Sequence, residues 1–85
     1  MDKLSDTIEL MISESYDDRL KAEYYQLGLR IVGLTKMLES YKNGTLSFTP
    51  KCSYTLLKSQ LNSMEHYANI LEVRAETEGI DLRSL

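Results

Sequence analysis

The sequence predicts an all-α protein in which a short N-terminal helix precedes a long antiparallel helical hairpin, and the hairpin assembles as a homo-oligomer. Two uninterrupted series of apolar residues recur every three or four positions, over about residues 20–41 and 54–75, as expected for two helices packed lengthwise. A turn signal, Asn43-Gly44 followed by Pro50, separates the two series. The 85 residues form a single domain, residues 1–85. A domain this small buries only about 60% of its extended surface, and assembly buries more.

The N-terminal helix is predicted over about residues 4–12. Its apolar residues follow helical spacing: Leu4, Ile8, Met11 and Ile12. Asp6 and Glu9 have the spacing of a capping box at its start. A helix this short is not stable alone, so its apolar side is expected to dock on the hairpin or on a neighbouring subunit.

The second helix is predicted over about residues 16–42, with Ser15 as its N-cap and Asn43-Gly44 at its end. Its core-facing positions step by four and three residues without interruption: Leu20, Tyr24, Leu27, Ile31, Leu34, Leu38 and Tyr41. A second apolar face lies roughly opposite: Tyr25, Gly28, Leu29 and Val32. Because one hairpin cannot cover both faces, we predict that the second face is buried between subunits.

Two glycines interrupt the second helix. Gly28 and Gly33 each cost a helix about 1 kcal/mol relative to alanine. Close approach of another backbone or of a ligand would explain glycine at these positions. The alternative is that a long helix simply tolerates both residues.

The third helix is predicted over about residues 53–78, with Cys52 or Ser53 as its N-cap and Gly79 at its end. Its core-facing series is Tyr54, Leu57, Leu61, Met64, Ala68, Leu71 and Ala75. Both long helices therefore present one apolar side to each other.

The link between the two long helices is expected to be ordered. Its apolar residues, Leu46 and Phe48, are predicted to cover the open end of the hairpin. Cys52 is expected to be buried and unreactive, since the sequence contains no second histidine that would act as its base.

Composition excludes several classes of function. The net charge is −3 and the lysines and arginines are scattered, so the chain lacks the basic patch of a protein that binds DNA or RNA polymers. No apolar run approaches the roughly 20 residues of a membrane span, and the N-terminus does not look like a signal peptide. With a single cysteine that cannot form an internal disulfide, the chain is predicted to be cytoplasmic and not bound to a membrane.

Catalytic and metal-binding patterns are not found in the sequence. One histidine and one cysteine leave no set of ligands for a structural zinc. His66 has no carboxylate three or four residues away that would orient it as a base. We therefore expect no catalytic residues, no metal, no cofactor and no enzymatic activity.

One face of the third helix, next to its core-facing side, mixes side chains that packing does not require. Its members are Gln60, Ser63, Tyr67, Ile70 and Arg74. This mixture of hydrogen-bonding, aromatic and cationic groups indicates a candidate binding face. The alternatives are structural: Arg74 forms an ion pair with Glu78 four residues on, and Tyr67 packs in an interface.

A combination of segments carries a family resemblance. They are Asp18-Arg19-Leu20, Glu23-Tyr24-Tyr25-Gln26-Leu27, residues 34–38, Pro50-Lys51-Cys52, residues 56–67 and Ile70-Leu71-Glu72-Val73-Arg74. Together they resemble the helical-hairpin domain of phage cyclic-oligonucleotide sponges, found in the anti-CBASS sponge and at the N-terminus of an anti-Thoeris sponge. The resemblance covers about residues 16–79. Its most telling part is the series Leu57, Gln60, Leu61, Met64, Tyr67, Leu71 and Arg74.

The resemblance implies a homo-oligomer, hexameric in the anti-CBASS sponge, that sequesters cyclic di- or trinucleotide immune signals in the cytoplasm of the host cell without cleaving them. In such sponges the nucleotides lie between subunits, with arginine or lysine on the phosphates and aromatic rings on the bases. Arg74 matches the family's arginine. Arg30 and Arg19 are further candidates for binding phosphate, and Tyr16 or Tyr67 for stacking on a purine.

A second class of function fits the same sequence. The hairpin would then be a structural or adaptor protein whose face around Gly28 mediates a protein–protein interaction. Arg19 would pair with Glu23, whereas Arg30 has no acidic residue four positions on and is less easily explained by structure. Stabilisation by cyclic nucleotides in thermal melts separates the two hypotheses.

Overall fold

The structure, a computed structural model, describes residues 3–83. A 3-10 turn, Leu4–Thr7, leads directly into a one-turn helix α1, Ile8–Met11. Two long helices follow, α2 over Tyr16–Asn43 and α3 over Tyr54–Glu78. The described residues contain no strand, which confirms the prediction of an all-α fold for this part of the chain. No helix in that part is both long enough and apolar enough to cross a membrane.

The N-terminal segment, residues 3–15, docks on α2 through one buried side chain. Thr7 is fully buried, and its Oγ1 accepts a hydrogen bond of 2.9 Å from Gln26 Nε2. The same hydroxyl donates to the carbonyl oxygen of Leu4 at 2.6 Å, so the buried hydroxyl both donates and accepts a hydrogen bond. The segment therefore docks on the hairpin of the same chain, but not through its apolar side as predicted, because Thr7 is the residue that faces α2. The four apolar residues expected to dock remain exposed: Leu4, Ile8, Met11 and Ile12.

The predicted capping box of Asp6 and Glu9 is wrong by about one turn. The helical segment begins at Leu4, and the amide of Lys3 donates to Asp6 Oδ2 at 3.1 Å. Asp6 thus lies at the third position of the segment rather than before it, because the segment begins with a 3-10 turn at Leu4 and Lys3 is its N-cap.

Helices α2 and α3 pack antiparallel to each other. Tyr24 near the start of α2 donates a hydrogen bond of 2.6 Å to Glu72 near the end of α3. At the opposite end of the hairpin, the rings of Tyr41 and Tyr54 meet edge to face, with their centroids 5.7 Å apart. The core between the helices contains buried side chains from the two predicted apolar series: Leu20, Leu27, Leu71 and Ala75, joined by Ile80. Burial of each such leucine contributes about 1.5–3 kcal/mol to folding.

The helix ends follow local chemistry. Ser15 Oγ accepts from the amide of Asp18, and Ser53 Oγ accepts from the amide of Leu56, as in side-chain caps. Gly79 ends α3 with φ of 72°, a left-handed conformation that glycine adopts without a steric cost. The reversal brings the amide of Ile80 to the carbonyl oxygen of Ala75 at 2.8 Å and buries the Ile80 side chain.

Two predictions for the link between α2 and α3 are wrong. Phe48 is 56% exposed rather than folded over the open end of the hairpin, because the Tyr41–Tyr54 pair already closes that end. Cys52 is exposed rather than buried, since it lies in the link just before the N-cap Ser53 and outside the packed part of α3.

Candidate functional site

One edge of the hairpin carries all five residues predicted to bind a ligand. Arg74 and Tyr67 each directly precede a core-facing residue of α3, and Arg19 and Arg30 each directly precede a core-facing residue of α2. In an antiparallel pair, side chains at this offset on the two helices flank the same side of the core. A hydrogen bond between Arg74 and Tyr16 joins the two helices on that side. We call this surface, made of Tyr16, Arg19, Arg30, Tyr67 and Arg74, the arginine edge.

Tyr16, Arg74 and Glu78 form a chain of hydrogen bonds at one end of the arginine edge. Arg74 Nη2 donates to Tyr16 Oη at 2.5 Å, and Tyr16 Oη donates to Glu78 Oε2 at 3.2 Å. The spacing of four residues indicates a pair between Arg74 and Glu78. In the structure, the hydroxyl of Tyr16 bridges the two side chains. The ring of Tyr16 stays 43% exposed, so a cation and an accessible aromatic ring lie side by side.

The electrostatics around Arg74 keep its guanidinium charged. The hydrogen bond to Tyr16 is the largest cause that raises the pKa of Arg74, and the negative charges of Glu78 and Glu23 raise it further. Glu23 therefore acts on Arg74 across the edge. Arg19, which was expected to pair with Glu23, instead donates from Nη1 to the carbonyl oxygen of Ser13 at 2.8 Å. That contact ties the start of α2 to the N-terminal segment.

Tyr67 and Arg30 form a second group, separate from the Arg74 group. Arg30 lies fourteen residues after Tyr16 in α2, which is about 21 Å along the helix axis. The pairing of Tyr24 with Glu72 and of Tyr41 with Tyr54 places Tyr67 within about one helical turn of Arg30 along that axis. Both side chains are exposed. Each group thus contains an arginine and a tyrosine, and on α3 the two groups are separated by the seven residues from Tyr67 to Arg74, about 10 Å along the axis.

The opposite edge of the hairpin contains an open groove, here called the tyrosine groove. It has a volume of about 380 Å³ and is lined by Tyr24, Tyr25, Gly28, Leu29, Ile31, Val32, Ala68 and Glu72. All four residues predicted to form the oligomer interface line it. Val32 is 51% exposed, and a Cβ built on Gly28 would meet no atom within 4 Å. The chain itself therefore leaves an apolar surface uncovered at this place.

The C-terminal residues close one end of the tyrosine groove. Tyr25 Oη donates to the carbonyl oxygen of Leu82 at 2.6 Å, so one predicted interface residue is engaged within its own chain. Beside it, Tyr24 and Tyr25 meet edge to face at 5.8 Å. The hydrogen bond from Tyr24 to Glu72 is the main cause that raises the pKa of Tyr24 to about 12, with burial as the second cause.

Sequence reasoning missed the contacts that two acidic residues of α3, Glu72 and Glu78, make across the hairpin. Their partners are tyrosine hydroxyls of α2. Glu72 directly follows the core-facing Leu71 in the sequence. This position is enough to predict that Glu72 lies beside the helix interface. His66 is exposed, and residues 3–83 include no cluster of three or more His, Cys, Asp or Glu suited to a metal ion.

Comparison with known proteins extends over most of the chain. Residues 14–77 match a protein-family model described as Sequestin. An uncharacterized 7.5 kDa protein of Enterobacteria phage T4, from the denB-rIIB intergenic region, is 47% identical over 60 residues, which make up 71% of this chain and 89% of that relative. No solved structure matches the chain. The matched segment includes the whole arginine edge and ends one residue before Glu78.

Proposed function

Because the chain belongs to the Sequestin family, we propose that it is a phage-type anti-defence protein that sequesters cyclic oligonucleotide immune signals of the host without cleaving them. The family description supports the sequestering role, and the relative in phage T4 supports a phage setting. The nucleotide ligand rests on the chemistry of the arginine edge. The place of action that follows is the cytoplasm of the infected host.

The observation that carries the proposal is the contact between Arg74 and Tyr16. A guanidinium and a phenol hydroxyl 2.5 Å apart are two donors that can point at one phosphate oxygen. The exposed ring of Tyr16 lies beside them and offers a stacking surface for a base, a contact worth about 1–3 kcal/mol. A cyclic nucleotide presents both partners, since its phosphates and bases alternate around one small ring.

The chain's overall charge favours a small ligand over a polymer. With a net charge of −3, the protein repels a long polyanion, whereas one or two phosphates respond to the local cations. Along α3 the two groups on the arginine edge are separated by about 10 Å, from Tyr67 to Arg74, and along α2 by about 21 Å, from Tyr16 to Arg30. Each group is therefore expected to contact its own ligand, or its own part of one, with the remaining contacts supplied by a second subunit.

Assembly through the tyrosine groove is part of the proposal. The groove is apolar, contains Gly28 without any close neighbour, and accepts a helix of a second copy at close range. A homo-oligomer formed in this way repeats the arginine edge on every subunit. Repeated sites suit sequestration, because the capacity of one assembly grows with its number of subunits.

A thermal melt with a panel of cyclic di- and trinucleotides tests the proposal. A ligand at 100 times its dissociation constant adds about 2.7 kcal/mol of stability, which raises the Tm of a domain this size by about 10 °C or more. Arg74→Ala is expected to weaken binding of at least one nucleotide class by about tenfold or more. The matched control is Lys58→Ala, which removes an exposed charge from the far end of α3 and leaves binding unchanged.

Chemical analysis of the bound nucleotide completes the test. After incubation and denaturation of the protein, ion-exchange chromatography of the supernatant is expected to show the intact cyclic nucleotide. A linear product formed in proportion to protein concentration would make the protein an enzyme and refute sequestration.

The alternative function is an adaptor hairpin that holds another protein in the tyrosine groove. The open apolar lining of that groove favours it, since a helix of a partner fits there as well as a second copy does. In that case no cyclic nucleotide raises the Tm, and Arg74→Ala behaves like the wild type throughout.

A further inference from the structure

We propose that Glu78 acts as a built-in competitor for the anionic ligand: its carboxylate, held by Tyr16 beside Arg74, occupies the place of a phosphate oxygen until a ligand displaces it. The inference rests on the proposed function, because it concerns the same arginine. It adds a residue that determines affinity and selectivity. Glu78 lies one residue beyond the segment that matches the family model.

The hydrogen bonds give the geometric reason. A tyrosine hydroxyl has one proton to donate, and Tyr16 donates it to Glu78 Oε2 while it accepts from Arg74. A phosphate oxygen that binds between Arg74 and Tyr16 needs that same proton. Glu78 must therefore release Tyr16 before the two donors can act together on a ligand.

The position of Glu78 in its helix gives a second, independent reason. Glu78 is the last residue of α3, and the last turn of that helix contains no basic residue. A carboxylate at this end is destabilised by the negative end of the helix dipole. Helix stability thus disfavours both Glu76 and Glu78 in this turn, and of the two it is Glu78 that accepts a hydrogen bond from Tyr16.

The competition has a consequence for selectivity. A ligand displaces Glu78 only if it brings an oxygen that carries a full negative charge. A neutral acceptor would balance the positive charge of Arg74 less well than the carboxylate of Glu78 does. Nucleosides and bases without phosphate are therefore excluded, although the Tyr16 ring is available to them. The negative charge of Glu23, which also raises the pKa of Arg74, adds to this selection.

The test compares Glu78→Gln with Glu76→Gln by isothermal titration calorimetry. Both variants remove one negative charge from the last turn of α3, but Glu76 lines the cavity on the opposite edge, beside Tyr24. The probes are 3′,3′-cyclic GMP-AMP and cyclic tri-adenylate, with adenosine as the neutral probe. We expect Glu78→Gln to bind at least one cyclic nucleotide about tenfold more tightly than the wild type, and Glu76→Gln to match the wild type. Circular dichroism verifies that both variants stay helical.

A second measurement keeps this inference separate from the proposed function. Pyrophosphate is titrated into the wild type and both variants while the side-chain NMR signal of Arg74 Nε is followed. If the competition exists, this signal moves at lower pyrophosphate concentrations in Glu78→Gln than in the other two proteins, whether or not a cyclic nucleotide binds.

The outcomes separate the two proposals. If the wild type binds a cyclic nucleotide and both variants bind it with the same affinity, the role of Glu78 is overturned and sequestration is not. No nucleotide binding, together with a selective pyrophosphate effect in Glu78→Gln, would support Glu78 and overturn cyclic-nucleotide sequestration. Absence of both effects would overturn both.

Discussion

Gly28 provides the sharpest test of assembly, because a larger side chain there has opposite effects in a monomer and in an oligomer. A Cβ on Gly28 meets nothing within 4 Å, and the same is true of Gly33. In an isolated chain, leucine at either position therefore improves helix propensity by about 0.8 kcal/mol, and its Cβ has room in both places. For a domain of this size, that gain raises the Tm by about 3–6 °C.

In an assembly through the tyrosine groove, the two positions behave differently. The groove includes Gly28 but not Gly33, which lies five residues on and on another side of α2. Leucine at Gly28 then enters space that the second subunit needs. Overpacking of this kind costs about 1–3 kcal/mol at each interface, more than the gain in helix propensity. Gly33→Leu keeps its gain in either case and is the matched control.

Light scattering at micromolar concentration and thermal melts by circular dichroism measure the two effects. We expect a wild-type mass that is a multiple of 9.8 kDa, a smaller mass and lower Tm for Gly28→Leu, and an unchanged mass with a higher Tm for Gly33→Leu. A 9.8 kDa wild type, or identical masses and melting temperatures for both variants, would refute the reasoning.

Two further predictions concern the described contacts of the hairpin. Tyr24, whose pKa is raised to about 12 mainly by its hydrogen bond to Glu72, should ionise near that pH in an ultraviolet titration, and Glu72→Gln should lower that pKa. Because the pKa of Tyr24 is higher in the folded than in the unfolded state, its contribution to stability is complete below about pH 10 and is lost as the pH rises through about 12. An equal fall in stability in the wild type and in Glu72→Gln over this pH range would contradict a role for the bond between Tyr24 and Glu72. Leu71→Ala, at a fully buried position, should lower the free energy of unfolding in urea by about 2.7–5 kcal/mol. Leu56→Ala, at a position on the same helix that is 59% exposed, should change it by less than about 1 kcal/mol, and equal losses in the two variants would show that the described core is wrong.

The sequence by itself determined the two long helices, their ends and the residues of each that face the core. Ser15 and Ser53 cap the long helices, and Gly79 ends the last one, because capping and left-handed turns depend on hydrogen bonds between residues a few positions apart. The core series of both long helices followed from a helical period that is a property of the backbone alone. Helical spacing placed Arg74 on a candidate binding face of the third helix, and the family resemblance matched it to the family's arginine.

Only the tertiary structure decided which polar side chains meet across the hairpin. Tyr16 and Arg74 are separated by 58 positions, and whether they touch depends on the axial register of α2 against α3. A shift of one helical turn, about 5.4 Å, would preserve the apolar series and the caps but would break that hydrogen bond and the bond from Tyr24 to Glu72. The exposure of Phe48 and Cys52 was decided in the same way, since it depends on how the Tyr41–Tyr54 pair closes the hairpin. Local energies fix the helices, whereas the packing of distant residues fixes the register, and the chemistry of the arginine edge depends on the register.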